Sequence, residues 1–457
     1  MNQFLFNKID LVVLPVLMLI IIAFLLRQRK KQPAEVRRFF LKGFFLRVLG
    51  MLTASALTEF YYKFGDTYSY YYNAQILRKL FFKDPVAWFQ VIFSNPEKKS
   101  AAILNFVDTM KSYDFYSGVL FQNNYNATVC KVASVFNIIC FDSSLGIALI
   151  FALLSFLGCW YIFKVFVRCY PGYERQFAFL CLYLPSLWFW GSLILKDPLC
   201  LYSLGLIIYF FFKDKKGLFK RMLMIGLGIF FLLNLKPYIF YCFGASVVLG
   251  WLMIRFSNFN FLGKMSMIIL AAHVFIFSYS FISVGISNAF DDVIKDSQTF
   301  IKNTDFLTKN GYNGESTILP KFDPTPAGLA LLGLNGFVMV FLRPFPWELN
   351  KFIYIFLILE NLLIYYLIFK KIKTGPLNFN KNYLLLRNFS FLFFIFLGLI
   401  VGITTFNFGT IARYRVPALP FLFAGIFAFK LVRRKRKIDK QVFRAGALQI
   451  NEIGKKA

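Results

Sequence analysis

The side chains here that can do polar chemistry stand at the ends of apolar runs. Gly65-Asp66-Thr67-Tyr68-Ser69-Tyr70-Tyr71-Tyr72 follows a long apolar stretch and brings together a carboxylate, hydroxyls and a run of tyrosines. Charges at a membrane boundary are costly and tend to be kept for function. A carboxylate buried beside tyrosines suits a general base, so Asp66 is the candidate catalytic residue. Tyr68 and Tyr70 are candidate substrate contacts. Lys196-Asp197-Pro198 breaks a second apolar run. Asp197 there reads mainly as an N-cap and Pro198 as a first-turn residue, and Lys196 and Asp197 are both carried as candidate substrate-binding residues. Lys236-Pro237 is a turn whose lysine either binds phosphate or snorkels outward. Arg343 precedes the rigid corner Pro344-Phe345-Pro346-Trp347-Glu348 and is a further candidate phosphate ligand. Arg413-Tyr414-Arg415 opens an apolar helix. Two guanidiniums can grip a phosphate or pyrophosphate with forked hydrogen bonds that lysine cannot reproduce. One acid, several cations and aromatic rings suited to sugar stacking fit group transfer from a phosphate-linked donor. The base would activate an acceptor hydroxyl and the cations would stabilise the departing phosphate.

The elements that must position these residues are membrane helices. The chain of 457 residues is 58% hydrophobic and contains 62 Phe, well beyond ordinary soluble usage. Its apolar runs are continuous over about 18–20 residues, long enough for a helix to cross the hydrocarbon core. Membrane barrels alternate over about 10 residues instead. The fold class is an all-α polytopic membrane protein with about eleven spans, near 9–26, 44–62, 143–166, 177–194, 198–212, 222–235, 238–254, 265–285, 352–369, 389–405 and 416–431. Basic clusters such as Arg27–Lys31, Lys213–Arg221 and Arg433–Lys437 fall on one side of this scheme. The positive-inside bias then places the N-terminus outside and the C-terminus inside. Residues 1–432 form one transmembrane domain and 433–457 a basic cytoplasmic tail. Residues 63–142 form a first external loop, in which 76–82 and 86–93 are too short to span and read as interfacial helices. Residues 286–351 form a second external loop, and within it 327–342 is read as re-entrant, because a crossing there would invert everything that follows. In this scheme Asp66, Lys196, Lys236, Arg343, Arg413 and Arg415 all face outward.

Several classes are excluded or disfavoured. The net charge of +30 comes from short clusters between apolar runs, not from a groove-binding motif, so membrane lipids and not nucleic acid are the expected partners. No GxxxxGK[ST] loop occurs, which argues against ATP-driven work. The only histidine, His273, lies in an apolar run, and no CxxC pair is present. Cys130 and Cys140 could share an outer loop closely enough for a disulfide. No internal repeat of the kind found in many transporters is visible.

The Asp66 stretch resembles the acidic position in the first large external loop of GT-C-type membrane glycosyltransferases. Leu184-Pro185-Ser186-Leu187-Trp188-Phe189-Trp190-Gly191-Ser192 with Lys196-Asp197, and Arg413-Tyr414-Arg415-Val416-Pro417-Ala418-Leu419-Pro420-Phe421, resemble segments of Wzy- and EpsG-like polysaccharide polymerases. The resemblance implies a polyprenyl-linked sugar donor, transfer at the external face of a bacterial-type cytoplasmic (inner) membrane, and a place in envelope glycan assembly. This chain departs from the glycosyltransferase pattern by an extra span before the acidic loop and by lacking a second acidic motif for metal. No cofactor is therefore assigned, and a divalent metal stays open. A lipid or anion transporter and a non-enzymatic membrane scaffold are the competing classes. The sugar, the acceptor and the oligomeric state are not legible.

Overall fold

The computed structural model of the chain describes residues 6–63, 65–212, 217–255, 326–348, 354–369, 381–404, 408–422 and 424–425. The expected span 265–285 with His273, residues 286–325 of the second loop, and the tail 433–457 lie outside the described residues. Every regular element among the described residues is helical. They are α1 (Asp10–Lys30), α2 (Ala34–Leu57), α3 (Asp66–Lys83), α4 (Pro85–Phe93), α5 (Ala101–Tyr113), α6 (Phe115–Gln122), α7 (Asn124–Cys140), α8 (Ser144–Cys169), α9 (Glu174–Ala178), α10 (Pro185–Trp190), α11 (Lys196–Phe212), α12 (Leu218–Leu235), α13 (Pro237–Arg255), α14 (Pro326–Leu342), α15 (Tyr354–Phe369), α16 (Lys381–Thr404) and α17 (Phe408–Tyr414).

Among the described residues six helices are long and apolar enough to cross a membrane: α1, α2 extended through Tyr62, α8, α12, α13 and residues 383–402 of α16. The segment expected as a fourth span, 177–194, is not one helix. It breaks into α9, a π-helical stretch Phe179–Tyr183 and α10. Pro185 lacks an amide donor and forces the preceding Leu184 into extended geometry, which ends the first piece. The segment read as re-entrant is one uninterrupted helix, α14, lying against α16. Residues 66–140 of the first loop are a set of short helices, α3 to α7. The stretches 76–82 and 86–93 belong to α3 and α4. Phe82, Val86, Phe89 and Phe93 are exposed along that junction at helical spacing, the pattern of a face that meets lipid. Cys130 and Cys140 stand on the single helix α7, about 15 Å apart along its axis, too far to bridge.

The helices share a polar end. Asn7 Nδ2 donates to the Asp142 carbonyl, and Ser143 Oγ and the Leu145 amide donate to Asp10, capping the start of α8 with a carboxylate. Arg78 of α3 pairs with Asp142 at 2.7 Å. The starts of α1 and α8 and the second half of α3 therefore meet the end of α7, while Tyr70 near the start of α3 meets Asn126 near the start of α7. The basic residues Arg27–Lys31, Arg168 and Arg255 lie at the far ends of α1, α8 and α13.

Below that end, α8 and α11 touch backbone to backbone. A Cβ on Gly158 would sit 2.3 Å from the Leu201 carbonyl oxygen, and one on Gly205 would sit 2.3 Å from the Gly158 carbonyl oxygen. Small residues permit this approach in a membrane bundle. Replacing either glycine with valine should push the helices apart and cost about 1–3 kcal/mol or more, read as a lower melting midpoint in detergent. An unchanged midpoint would contradict the close crossing.

Candidate functional site

A charged cluster forms where the starts of α3 and α11, the α12–α13 turn and α17 meet. It starts with Gly65, whose φ of 123° lies in a region open mainly to glycine and lets the chain turn off α2 into α3 with Asp66 as the first helical residue. Arg413, from the short helix α17, donates from Nη1 to Asp66 Oδ2 at 2.9 Å and from Nε to Asp197 Oδ2 at 2.5 Å. Lys236, at the α12–α13 turn, donates to Asp197 Oδ1 at 2.7 Å. Its ammonium also lies 3.9 Å from the Tyr414 ring centroid, a cation–π contact. Side-chain exposure rises through the cluster from 0% at Asp197 and 4% at Lys236 to 15% at Arg413 and 32% at Asp66. Asp197 is thus the buried anchor, and Asp66 is the carboxylate a ligand can reach.

Burial alone would raise the Asp197 pKa, but Lys236 and Arg413 outweigh it and hold the carboxyl below its ordinary range. Lys196 opens α11 ahead of the apolar run 198–212. Burial first, and then the like charge of Lys236, pushes its pKa down to about 8, with Asp66 pulling the other way. Among the described residues no carboxylate lies within ion-pair distance of Lys196; its ammonium is 6.0 Å from the Tyr125 ring centroid. Tyr70 donates to Asn126 Oδ1 at 3.0 Å, and burial together with nearby Asp66 keeps its phenol protonated. Three cations against two carboxylates leave one positive charge uncompensated, and Lys196 is the cation without an acid.

Of the residues singled out from sequence, Asp66, Lys196, Asp197, Lys236 and Arg413 come together, with Tyr70 alongside. Others do not join them. Asp197 is not an N-cap, since α11 begins one residue earlier at Lys196 and the carboxylate serves Lys236 and Arg413 instead. Tyr68 turns to Glu59, donating to Oε2 at 2.6 Å. Asp66 is not buried among the tyrosines, because Arg413 holds it at the open side. Arg343 pairs with Glu348 beside its own corner. Arg415 points into the bundle, where Nη2 meets Glu360 at 2.9 Å and Nη1 meets Asn361 Oδ1 at 2.8 Å. Arg413 faces the cluster while Arg415, just past the end of α17, is held by Glu360 and Asn361, so the two guanidiniums are not directed at one phosphate.

Glu360, Tyr414, Tyr125 and Asn126 were not singled out. Glu360 was legible as the lone charge in the apolar run Tyr354–Phe369. It accepts from both the amide and the hydroxyl of Ser186, tying α15 to the start of α10. No group of three His, Cys, Asp or Glu side chains that could hold a metal occurs among the described residues. The site does not fit a divalent cation, since both of its carboxylates already face cations. No protein family, characterised protein or solved structure matches this chain.

Two outcomes follow. Asp197→Leu should strand Lys236 and Arg413 beside a buried apolar side chain and cost about 3–5 kcal/mol, whereas Asp66→Asn, at the open edge, should cost under about 1 kcal/mol. Equal melting midpoints for the two variants would refute the anchor role. The second concerns Lys196, whose folded pKa lies below its unfolded value, so charging it opposes folding. This cost is absent above the unfolded pKa of 10.5, grows as pH falls, and is complete below about 8. Lys196→Met should therefore melt higher than the parent at neutral pH, and the gap should close as pH approaches 10.5. A gap that widens with rising pH would exclude this environment for Lys196.

Proposed function

We propose that this protein transfers a sugar or oligosaccharide from a polyprenyl-phosphate or pyrophosphate donor, in envelope glycan or polysaccharide assembly. The observation that supports this reading is the open carboxylate of Asp66 beside the unpaired cation Lys196, at a membrane-helix end with one excess positive charge. In the reaction, the bond from the sugar anomeric carbon to the phosphate oxygen breaks and a bond to an acceptor hydroxyl oxygen forms. The hydroxyl proton passes to Asp66, and the electron pair leaves with the phosphate. Lys196 and Arg413 are the cations placed to stabilise that leaving charge. A donor phosphate that takes Nη1 of Arg413 frees Asp66, so donor binding prepares the base. Asp197 and Lys236 hold Arg413 in position.

In this reading the polar end faces outward in a bacterial-type cytoplasmic membrane. The N-terminus is outside and the C-terminus inside, with about eleven crossings in all. Tyr125, exposed at the rim beside Lys196, offers a ring on which a sugar can stack.

The test is transfer from a polyprenyl-pyrophosphate-linked sugar by the purified protein in proteoliposomes of known orientation. Asp66→Asn should lower turnover by about 100-fold or more while the protein stays folded. Arg413→Ala should do likewise, and Arg343→Ala should leave turnover near the parent level. Donor supplied on the side of Asp66 should react and donor on the other side should not. Full turnover in Asp66→Asn would defeat the assignment. Donor crossing the bilayer without transfer would point to a flippase.

A further inference from the structure

A different cation without an acid lies along the seam of α8 and α11. On α8, Leu153, Leu154, Leu157, Tyr161 and Lys164 are partly exposed, while every other residue from Ser155 to Phe163 is buried. Their spacing of three and four residues makes them one face of the helix. On α11, Tyr202 and Tyr209, two turns apart, are the residues from Leu201 to Phe210 that are not buried. The two faces adjoin. A Cβ on Gly158 would lie 2.5 Å from the Tyr202 Cα, and the rings of Tyr161 and Tyr209 stack with centroids 4.8 Å apart. Lys164 Nζ lies 4.8 Å from the Tyr209 ring centroid and donates to the Tyr209 hydroxyl at 3.4 Å. No carboxylate among the described residues lies within ion-pair distance of that ammonium. Lys164 stands little more than a turn before Cys169, where α8 ends, and Tyr209 less than a turn before Phe212, where α11 ends. The face thus grades from leucine midway along α8 to phenols and an ammonium near its Arg168 end.

An unpaired ammonium at the edge of the hydrocarbon is costly unless water or an anion meets it. A lysine that only snorkelled would stretch past the rings toward water. Lys164 instead lies over Tyr209 and keeps two N–H donors to spare. We propose that Tyr161, Lys164, Tyr202 and Tyr209 hold the headgroup of a phospholipid with a single net negative charge, in the leaflet at the basic helix ends. Lys164 supplies the compensating charge, and the phenols can donate to the phosphodiester oxygens. The acyl chain lies along Leu157, Leu154 and Leu153. That order matches a lipid, with its headgroup at the surface and its chain toward the midplane. A zwitterionic headgroup carries its own cation and gains less from Lys164. A free phosphate ion would satisfy the ammonium but leave the leucine face uncovered. The glycan reading plays no part in this inference.

The test is the melting midpoint of the purified protein in detergent with dioleoylphosphatidylglycerol added at rising mole ratio, against dioleoylphosphatidylcholine at the same ratios. Phosphatidylglycerol should raise the parent midpoint saturably, by about 3 °C or more beyond phosphatidylcholine, as expected for a ligand that binds only the folded state. Lys164→Met should lose most of that difference. Lys30→Gln, which removes an exposed cation from the end of α1, should keep it. Tyr209→Phe, which removes one hydroxyl and keeps the stacked ring, should need several-fold more phosphatidylglycerol for the same rise. Equal parent midpoints in the two lipids would overturn the proposal. So would equal losses in Lys164→Met and Lys30→Gln, which would mean attraction to surface charge in general, and so would a rise produced by inorganic phosphate alone. Should Lys164→Met fail to fold, the parent series still decides, and an unchanged phosphatidylglycerol requirement in Tyr209→Phe would overturn the proposal.

Discussion

Asp197 is cut off from water, and its carboxylate is tolerated because Lys236 and Arg413 each contribute a charged hydrogen bond. Much of the site's architecture follows from meeting that need. Lys236 comes from the turn between α12 and α13, and Arg413 from the short helix α17. Their convergence on the first turn of α11 brings these ends to one level. Arg413 then has a second donor group to spare, which reaches Asp66, 347 positions earlier in the chain. The first loop is thereby drawn to the same point.

The same constraint recurs elsewhere with different solutions. Asp10 is buried at the start of α1 and is satisfied by the hydroxyl of Ser143 and the opening amides of α8. Glu360 and Arg415 pair with each other, Ser186 donates to Glu360, and Asn361 and the Val340 carbonyl accept from Arg415. Arg47 Nη1 and Arg415 Nε each stay buried without a hydrogen-bond partner. Lys196 differs again: no acid compensates it, and burial with the like charge of Lys236 penalises its charged form and lowers its pKa to about 8. Buried pairs thus set the geometry, and the partly exposed Asp66 and the uncompensated Lys196 are left to meet a ligand.

Much of this could be read before any coordinates. The helical membrane class follows from long uncharged runs, since backbone groups in hydrocarbon have to bond within their own segment. The candidates Asp66, Lys196, Asp197, Lys236 and Arg413 emerged because each interrupts an apolar run, and charge there needs a reason. Helix continuity was harder to read. Hydropathy over 177–194 does not register that Pro185 divides the segment, and the charge count that made 327–342 re-entrant could not show that it forms one helix, α14. Glu360 was visible as a lone intramembrane acid, yet its partner Arg415 looked like a second phosphate ligand beside Arg413.

By itself the sequence determined the apolar helices, the basic clusters at one set of helix ends, and the short list of charges at the other. These follow from local hydropathy and spacing, which act within a few turns of chain. Tertiary structure decided the pairings: that Asp197 is the anchor and Asp66 the open acid, that Arg413 faces the site while Arg415 faces Glu360, and that Arg47 meets a thiol and no carboxylate. Those choices rest on which helix ends pack together in space, and the electrostatic cost of burial depends on that packing over hundreds of residues.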